Sequence, residues 1–243
     1  MQNNTVDILG IDFINKQFNE VVNILNEMIK SNRKAFIVTA NPEIVMYAYE
    51  HLDYKKIIQS ADMVVPDGYG IILASKTLNT PIKERVAGYD LMIRLLELGN
   101  ENKLKIYLLG GREETNQKAV ANINSQFPHV QIVGSHHGFF DWENNPITAE
   151  IKASSPDLIF VALGFPKQEQ WIARNLAQFP KGVCMGVGGS IDVLAGEVQR
   201  APRFWQKMNL EWFYRLISQP SRWRRMLAIP RFLLKIFQLK FTK

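Results

Sequence analysis

One cysteine in 243 residues excludes any disulfide framework within the chain. Cys184 sits in the apolar run 182–187, where a buried small hydrophobe is expected in preference to a nucleophile or ligand. A cytoplasmic, disulfide-free protein follows. The first residues lack a basic n-region and an apolar h-region, since Asn3, Asn4, Asp7 and Asp12 interrupt every run, so no export signal is expected. No apolar stretch approaches the ~20 residues that cross a bilayer. The histidines (His51, His129, His136 and His137) have no Cys/His ligand spacing and no Asp-x-Asp is present, so neither a metal nor a cofactor is expected. Adjacent His136 and His137 are expected on opposite faces of a strand.

Two further absences are regional. All 15 glycines lie at or before Gly196, and residues 200–243 hold the lone acid Glu211 against 11 Lys/Arg. Residues 1–199 carry 18 Lys/Arg against 22 Asp/Glu, which makes the body −4 and the tail +10. The chain therefore reads as an α/β catalytic body over 1–199 and a basic, aromatic, helical appendage over 200–243, meeting at the turn 196–202.

The 47% hydrophobic content supports a sizeable core. Runs rich in β-branched and aliphatic residues at 6–9, 35–39, 63–65, 105–109, 130–133, 158–163 and 183–187 read as strands. Between them apolar residues recur at 3,4 spacing, as in Phe18, Val21, Val22, Leu25 and Ile29. Strand and helix alternate, which predicts a Rossmann-like, mostly parallel sheet covered by helices on both faces. Ligands of such folds lie beyond the strand C-termini.

The strand ends carry the polar signals. Thr39-Ala40-Asn41-Pro42-Glu43 closes a strand and opens a helix, so Asn41 is either an N-cap or a ligand contact, and Thr39 faces the expected crevice. Pro66-Asp67-Gly68-Tyr69-Gly70 places an acid beside two glycines, where Asp67 is a base or a helix cap. Glu84-Arg85-Val86-Ala87-Gly88 follows with a cation, and an acid and an arginine facing one crevice suit a base and a charge stabiliser. Gly110-Gly111-Arg112 opens a helix as an anion cradle would, Gln168 lies in a first helical turn where it holds a sugar or merely solvates the helix end, and Gly188-Gly189-Ser190-Ile191-Asp192 ends the last strand with one carboxylate. Neither the dinucleotide fingerprint nor a Walker loop is present.

Taken together, Thr-Ala-Asn-Pro-Glu, Pro-Asp-Gly, Glu-Arg-Val-Ala-Gly, Leu-Gly-Phe-Pro-Lys-Gln-Glu and Gly-Val-Gly-Gly-Ser-Ile-Asp-Val-Leu-Ala-Gly resemble the WecG/TagA/CpsF glycosyltransferases in order and spacing, from about residue 6 to residue 225. The resemblance implies an inverting transfer from a UDP-sugar donor to a lipid-linked sugar acceptor, undecaprenyl-diphosphate-linked N-acetylglucosamine. Its leading form moves N-acetylmannosamine to the C4 hydroxyl; the uronic acid or another UDP-sugar is the alternative. Asp67 becomes the general base, with Thr39, Asn41, Arg85 and Gln168 around the reacting sugars. Gly111, Gly188, Gly189 and Asp192 fall on the nucleotide side. Arg215, Arg222 and Arg225 match appendage arginines implied to stabilise the departing diphosphate.

The tail also interleaves cations with Trp205, Trp212, Phe213, Trp223, Phe232 and Phe241, a composition that suits a helix lying on an anionic membrane surface. That reading places the protein peripherally on the inner face of the cell membrane and is preferred over nucleic-acid binding, which is not expected. Self-association through the tail is a third reading. The competing class is a non-enzymatic nucleotide or nucleic-acid binding protein with a basic arm.

Overall fold

A computed structural model of the chain describes residues 4–218, 220 and 223–242, the side chains of Arg215, Arg224 and Thr242 excepted. An antiparallel hairpin of β1 (Thr5–Ile8) and β2 (Ile11–Ile14) comes first. The strands β3 (Lys34–Ala40), β4 (Met63–Pro66), β5 (Lys105–Gly110), β6 (Gln131–His136), β7 (Leu158–Ala162) and β8 (Gly182–Gly186) then form one sheet in the order β4-β3-β8-β7-β5-β6. Every pairing in that sheet is parallel. The expected α/β architecture is the one the chain adopts.

Helices supply the crossovers: α1 (Phe18–Lys30), α2 (Pro42–Glu50), α3 (Leu52–Gln59), α4 (Tyr69–Thr77), α5 (Gly88–Asn102), α6 (Glu113–Gln126), α7 (Ile147–Ser154), α8 (Lys167–Asn175) and α9 (Ser190–Leu194). Their starts follow local chemistry. Gln17 and Glu20 form a capping box at α1, and Pro42 opens α2 where a missing N–H costs nothing.

Period-2 alternation in the strands divides the core between the two faces of the sheet. Phe36, Val38 and Ala40 of β3 pack with α2, α3, α4 and α8, whereas Ala35 and Ile37 pack with α1, α5 and α9. The central strands β7 and β8 are buried along their whole length, as both-face coverage requires. Cys184 is fully buried in β8 and burial pushes its thiol pKa up, so it serves as core.

The tail is helical, with α10 (Arg203–Lys207), α11 (Glu211–Ser218), α12 (Trp223–Met226) and α13 (Ala228–Thr242). Its last helix returns to the body. Phe232 and Ile236 are 0% exposed and share a core cluster with Ile44 and Val45 of α2 and Ile71 and Ile72 of α4. Residues on both sides of position 200 thus build one core. At the junction Arg200 makes two bonds to the Asp90 carboxylate, at 2.6 and 2.8 Å, and lies over the Tyr89 ring.

One expectation needs correction. The rings of His136 and His137 lie 4.4 Å apart instead of on opposite faces, because β6 ends at His136 and strand alternation ends with it.

Candidate active site

Because the sheet is parallel, all its strand C-termini share one edge. The chain leaves β3 toward α2 on one face and leaves β8 toward α9 on the other. Loops that part in this way open a crevice between the two strands. Thr39 stands at its mouth, where its Oγ1 donates to the Gly186 carbonyl of β8 at 3.2 Å.

Three further segments converge there. Asn41 caps α2: its Oδ1 accepts from the N–H groups of Glu43 and Ile44 at 3.0 and 3.1 Å. The Asp67 N–H donates to Ala40 O at 2.9 Å, which fixes the end of β4 beside the end of β3. Gly68, at φ +87, then begins α4 with no side-chain cap bond. Asp67 itself is half-buried just before that N-cap. The segment 84–88 is tied in by Val86 N–H to Pro66 O at 3.0 Å, and Gly88 lies against the Thr39 side chain.

Electrostatics bring the tail to the same edge. Arg85 of the body faces Glu211, the tail's lone acid, at 3.9 Å. Arg225 makes a two-point ion pair with Glu43, next to the Asn41 cap, at 2.7 and 3.0 Å. Of the other appendage arginines, Arg215 lies on α11 with its side chain outside the described residues, and Arg222 lies wholly outside them.

Gln168 is 4% exposed, and both ends of its amide are engaged within the protein. Oε1 accepts from the Gly188 N–H at 3.0 Å, and Nε2 donates to Glu169 Oε1 at 2.7 Å. A Cβ at Gly186 would stand 2.6 Å from that Nε2, so only glycine lets the amide cross the end of β8. Gly189 precedes α9 and the half-exposed Asp192 lies in its first turn. Across the sheet the Gly111 N–H donates to Ala162 O at 3.2 Å, so that donor already bonds β7 instead of facing a ligand.

Glu169 is the group the sequence did not single out. It is 1% exposed, its Oε2 has no hydrogen-bond partner, and burial raises its pKa to about 7 against the lowering bond from Gln168. The Tyr54 hydroxyl lies against this carboxyl without a well-formed bond, and burial followed by the Glu169 charge pushes its pKa up. Phe165 and Tyr47 pack edge-on to the Tyr54 ring. In a first-turn Lys-Gln-Glu-Gln no local signal marks such burial.

The raised value has a thermodynamic consequence. Folding lifts the Glu169 pKa from 4.5 to about 7, so the native state holds the proton more tightly than the unfolded chain. Its contribution to stability is then fully present below about pH 4.5 and is lost as pH rises through about 7. Glu169→Gln carries no such titration. Its stability relative to the wild type is expected to rise between pH 5 and pH 8 by up to roughly 3 kcal/mol, read from thermal or urea unfolding; a pH-independent difference refutes the assignment.

A cavity of about 850 Å³ opens elsewhere, between the hairpin, α2, α3, the segment 78–83 and α13, lined by Lys16, Lys55, Lys83, Asp7 and Leu239 among others. None of the strand-end residues lines it. The crevice edge carries the convergent polar groups, and it is the stronger candidate on that ground.

Comparison with known proteins agrees in kind. A family model described as the glycosyl transferase WecG/TagA/CpsF family matches residues 6–243. A Bacillus spizizenii protein named N-acetylglucosaminyldiphosphoundecaprenol N-acetyl-beta-D-mannosaminyltransferase is 37% identical over 235 residues, covering 96% of this chain and 91% of the relative. A Staphylococcus aureus protein of the same name is 40% identical over 237 residues, covering 97% and 93%.

Proposed function

This chain belongs to the WecG/TagA/CpsF family of glycosyl transferases, and from that premise we propose that it moves N-acetylmannosamine from UDP to the C4 hydroxyl of N-acetylglucosamine on undecaprenyl diphosphate. The observation that carries this reading is the convergence of Thr39, Asn41, Asp67 and the 84–88 segment at one crevice edge, within a chain that aligns over 97% of its length with a relative named for that transfer.

In the proposed step Asp67 takes the proton of the acceptor C4 hydroxyl as that oxygen attacks C1 of the donor sugar. The bond from C1 to the diphosphate oxygen breaks on the opposite face, which inverts the anomeric centre to β. UDP departs with the electron pair. A base and fixed positive charge are what such a displacement requires. In this reading Arg85, and Arg225 once released from Glu43, offer that charge, with Arg215 and Arg222 as further donors from the tail. Gly188, Gly189 and Asp192 border the nucleotide in this reading.

The acceptor is a lipid, and the tail supports a surface at which to meet it. Phe204, Trp212, Ile217, Trp223, Leu234, Phe237 and Phe241 are exposed among the tail's cations. No helix among the described residues is long and apolar enough to cross a membrane. We therefore place the protein against an anionic membrane face, the geometry of an interfacial helix.

One assay tests both. Purified protein is offered UDP-N-acetylmannosamine, its uronic acid and UDP-N-acetylglucosamine, with a lipid-diphosphate-N-acetylglucosamine acceptor in anionic or zwitterionic vesicles, and UDP release is followed. Acceptor-dependent release from the first donor, faster on anionic vesicles, is expected. Preference for another donor reassigns the sugar, and no release from any donor favours a non-enzymatic nucleotide-binding role.

A further inference from the structure

The link from Glu169 through Gln168 to Gly188 runs beneath the crevice floor. Gln168 is held from three sides: its backbone N–H donates to Gly164 O at 3.0 Å, its Oε1 accepts from Gly188 N–H, and its Nε2 donates to Glu169. A glutamine amide is nearly symmetric in shape, and only its partners decide which end is oxygen. Gly188 N–H can donate but not accept, and Glu169 Oε1 faces the opposite end. Together they select one of the two amide orientations.

We propose that Glu169 is a positioning residue for the donor side of the site, holding the Gln168 amide in the orientation that fixes the Gly188 turn. This rests on the proposed UDP-sugar reading, since Gly188 and Gly189 are the turn assigned to the nucleotide.

Several observations support a positional role over simple packing. Glu169 is a charged residue type in a nearly dry site, lined by the Tyr54 ring and hydroxyl with Phe165 and Tyr47 behind it. A hydrophobe there would fill the space with no unpartnered oxygen, which is the cheaper way to build a core. What a hydrophobe cannot do is accept from Gln168 Nε2. The neighbouring Gly186 also fits, because its missing side chain is the space the amide occupies, and its carbonyl holds Thr39 Oγ1. Thr39, Gly186, Gln168, Gly188 and Glu169 thus form one connected set at the crevice floor.

The neutral form of Glu169 keeps a carbonyl oxygen for Gln168, and a glutamine at 169 offers the same acceptor. The conservative variant and the apolar one are therefore expected to part. Glu169→Met leaves Gln168 Nε2 without an acceptor, frees its amide to turn, and releases Gly188 N–H. Loss of one such bond with a donor left unmatched corresponds to about tenfold in binding. The KM for the UDP-sugar is expected to rise about tenfold in E169M with kcat within about threefold of the wild type, while E169Q keeps both parameters within about threefold.

Steady-state kinetics on UDP-N-acetylmannosamine, with hydrogen exchange over residues 186–190, read the outcome. Faster exchange at those amides in E169M but not in E169Q is the accompanying signature, which a merely structural role would not produce selectively. A wild-type KM in folded E169M overturns the proposal, and so does an E169Q variant as impaired as E169M. Should E169M not fold, Gln168→Met cuts the same link from its other end, and a wild-type KM there overturns it equally. If the wild type itself turns over no UDP-sugar, the transfer reading has failed instead, and exchange at 186–190 still decides the link.

Discussion

Asp67→Asn is expected to lower turnover by about 10²- to 10⁴-fold while UDP affinity changes by less than about threefold. Asparagine preserves the shape of the side chain and removes its ability to take a proton. The backbone holds the position in either form: the N–H of residue 67 bonds Ala40 O at 2.9 Å, and Gly68 turns the chain into α4 at φ +87. That turn sets Gly68 against the Asn41 and Pro42 side chains at the start of α2. Thermal unfolding of the variant separates a loss of activity from a loss of structure at the start of α4. Initial rates of UDP release, with UDP titrated separately, give the two numbers. Near-normal turnover would remove Asp67 from the base role, and an equal loss of UDP affinity would move it to the nucleotide side.

Phe232→Ala carries the largest expected effect on stability. Its ring is 0% exposed between α13 and the α2 and α4 faces, so truncation removes a buried aromatic and leaves a cavity. Such changes cost about 3–5 kcal/mol, which for a chain of this size lowers Tm by roughly 6–20 °C. On the opposite face of the same helix Leu234 and Phe237 are 64% and 49% exposed, and alanine at either should stay within about 0.5 kcal/mol of the wild type. Thermal unfolding of the three variants therefore separates a folding face from a docking face. Equal, small effects at all three would mean that α13 is only a membrane arm. A large effect at Phe232 alone means that removing the tail unfolds part of the body, so an inactive truncation would say nothing by itself about catalysis.

The candidate site was legible to different depths at different residues. Thr39, Asn41 and Asp67 stand beside proline and glycine at the ends of β-branched runs, and a parallel sheet puts all such ends on one edge; Arg85 is legible only as a cation beyond the helix that follows Asp67. Gln168 was legible as a crevice residue but not in its attitude, since no spacing rule says that its amide turns inward to Gly188 and Glu169. Glu169 was invisible. In sequence it is a first-turn acid, a place that favours a solvated carboxylate, and its burial arises from Tyr54, more than 100 residues earlier in the chain. Local chemistry similarly marks Gly111 as a cradle, and only the register of β5 against β7 commits its N–H to Ala162.

By itself the sequence determined the fold class, for period-2 and period-3.6 patterns are local and each of the expected runs is a strand in the structure. The hairpin partner β2 escaped because it follows a turn at Leu9 and Gly10, where Leu9 takes a positive φ that no propensity announces. The charge and aromatic asymmetry of the tail was likewise plain from composition. Only the tertiary structure decided the strand order and the burial of Glu169. It also decided that the tail joins the body, with Glu211 facing Arg85, Arg225 paired to Glu43, and Phe232 in one cluster with α2 and α4. The physical reason is common to all three. They depend on which distant surfaces exclude water from one another, and that is settled by packing the whole chain.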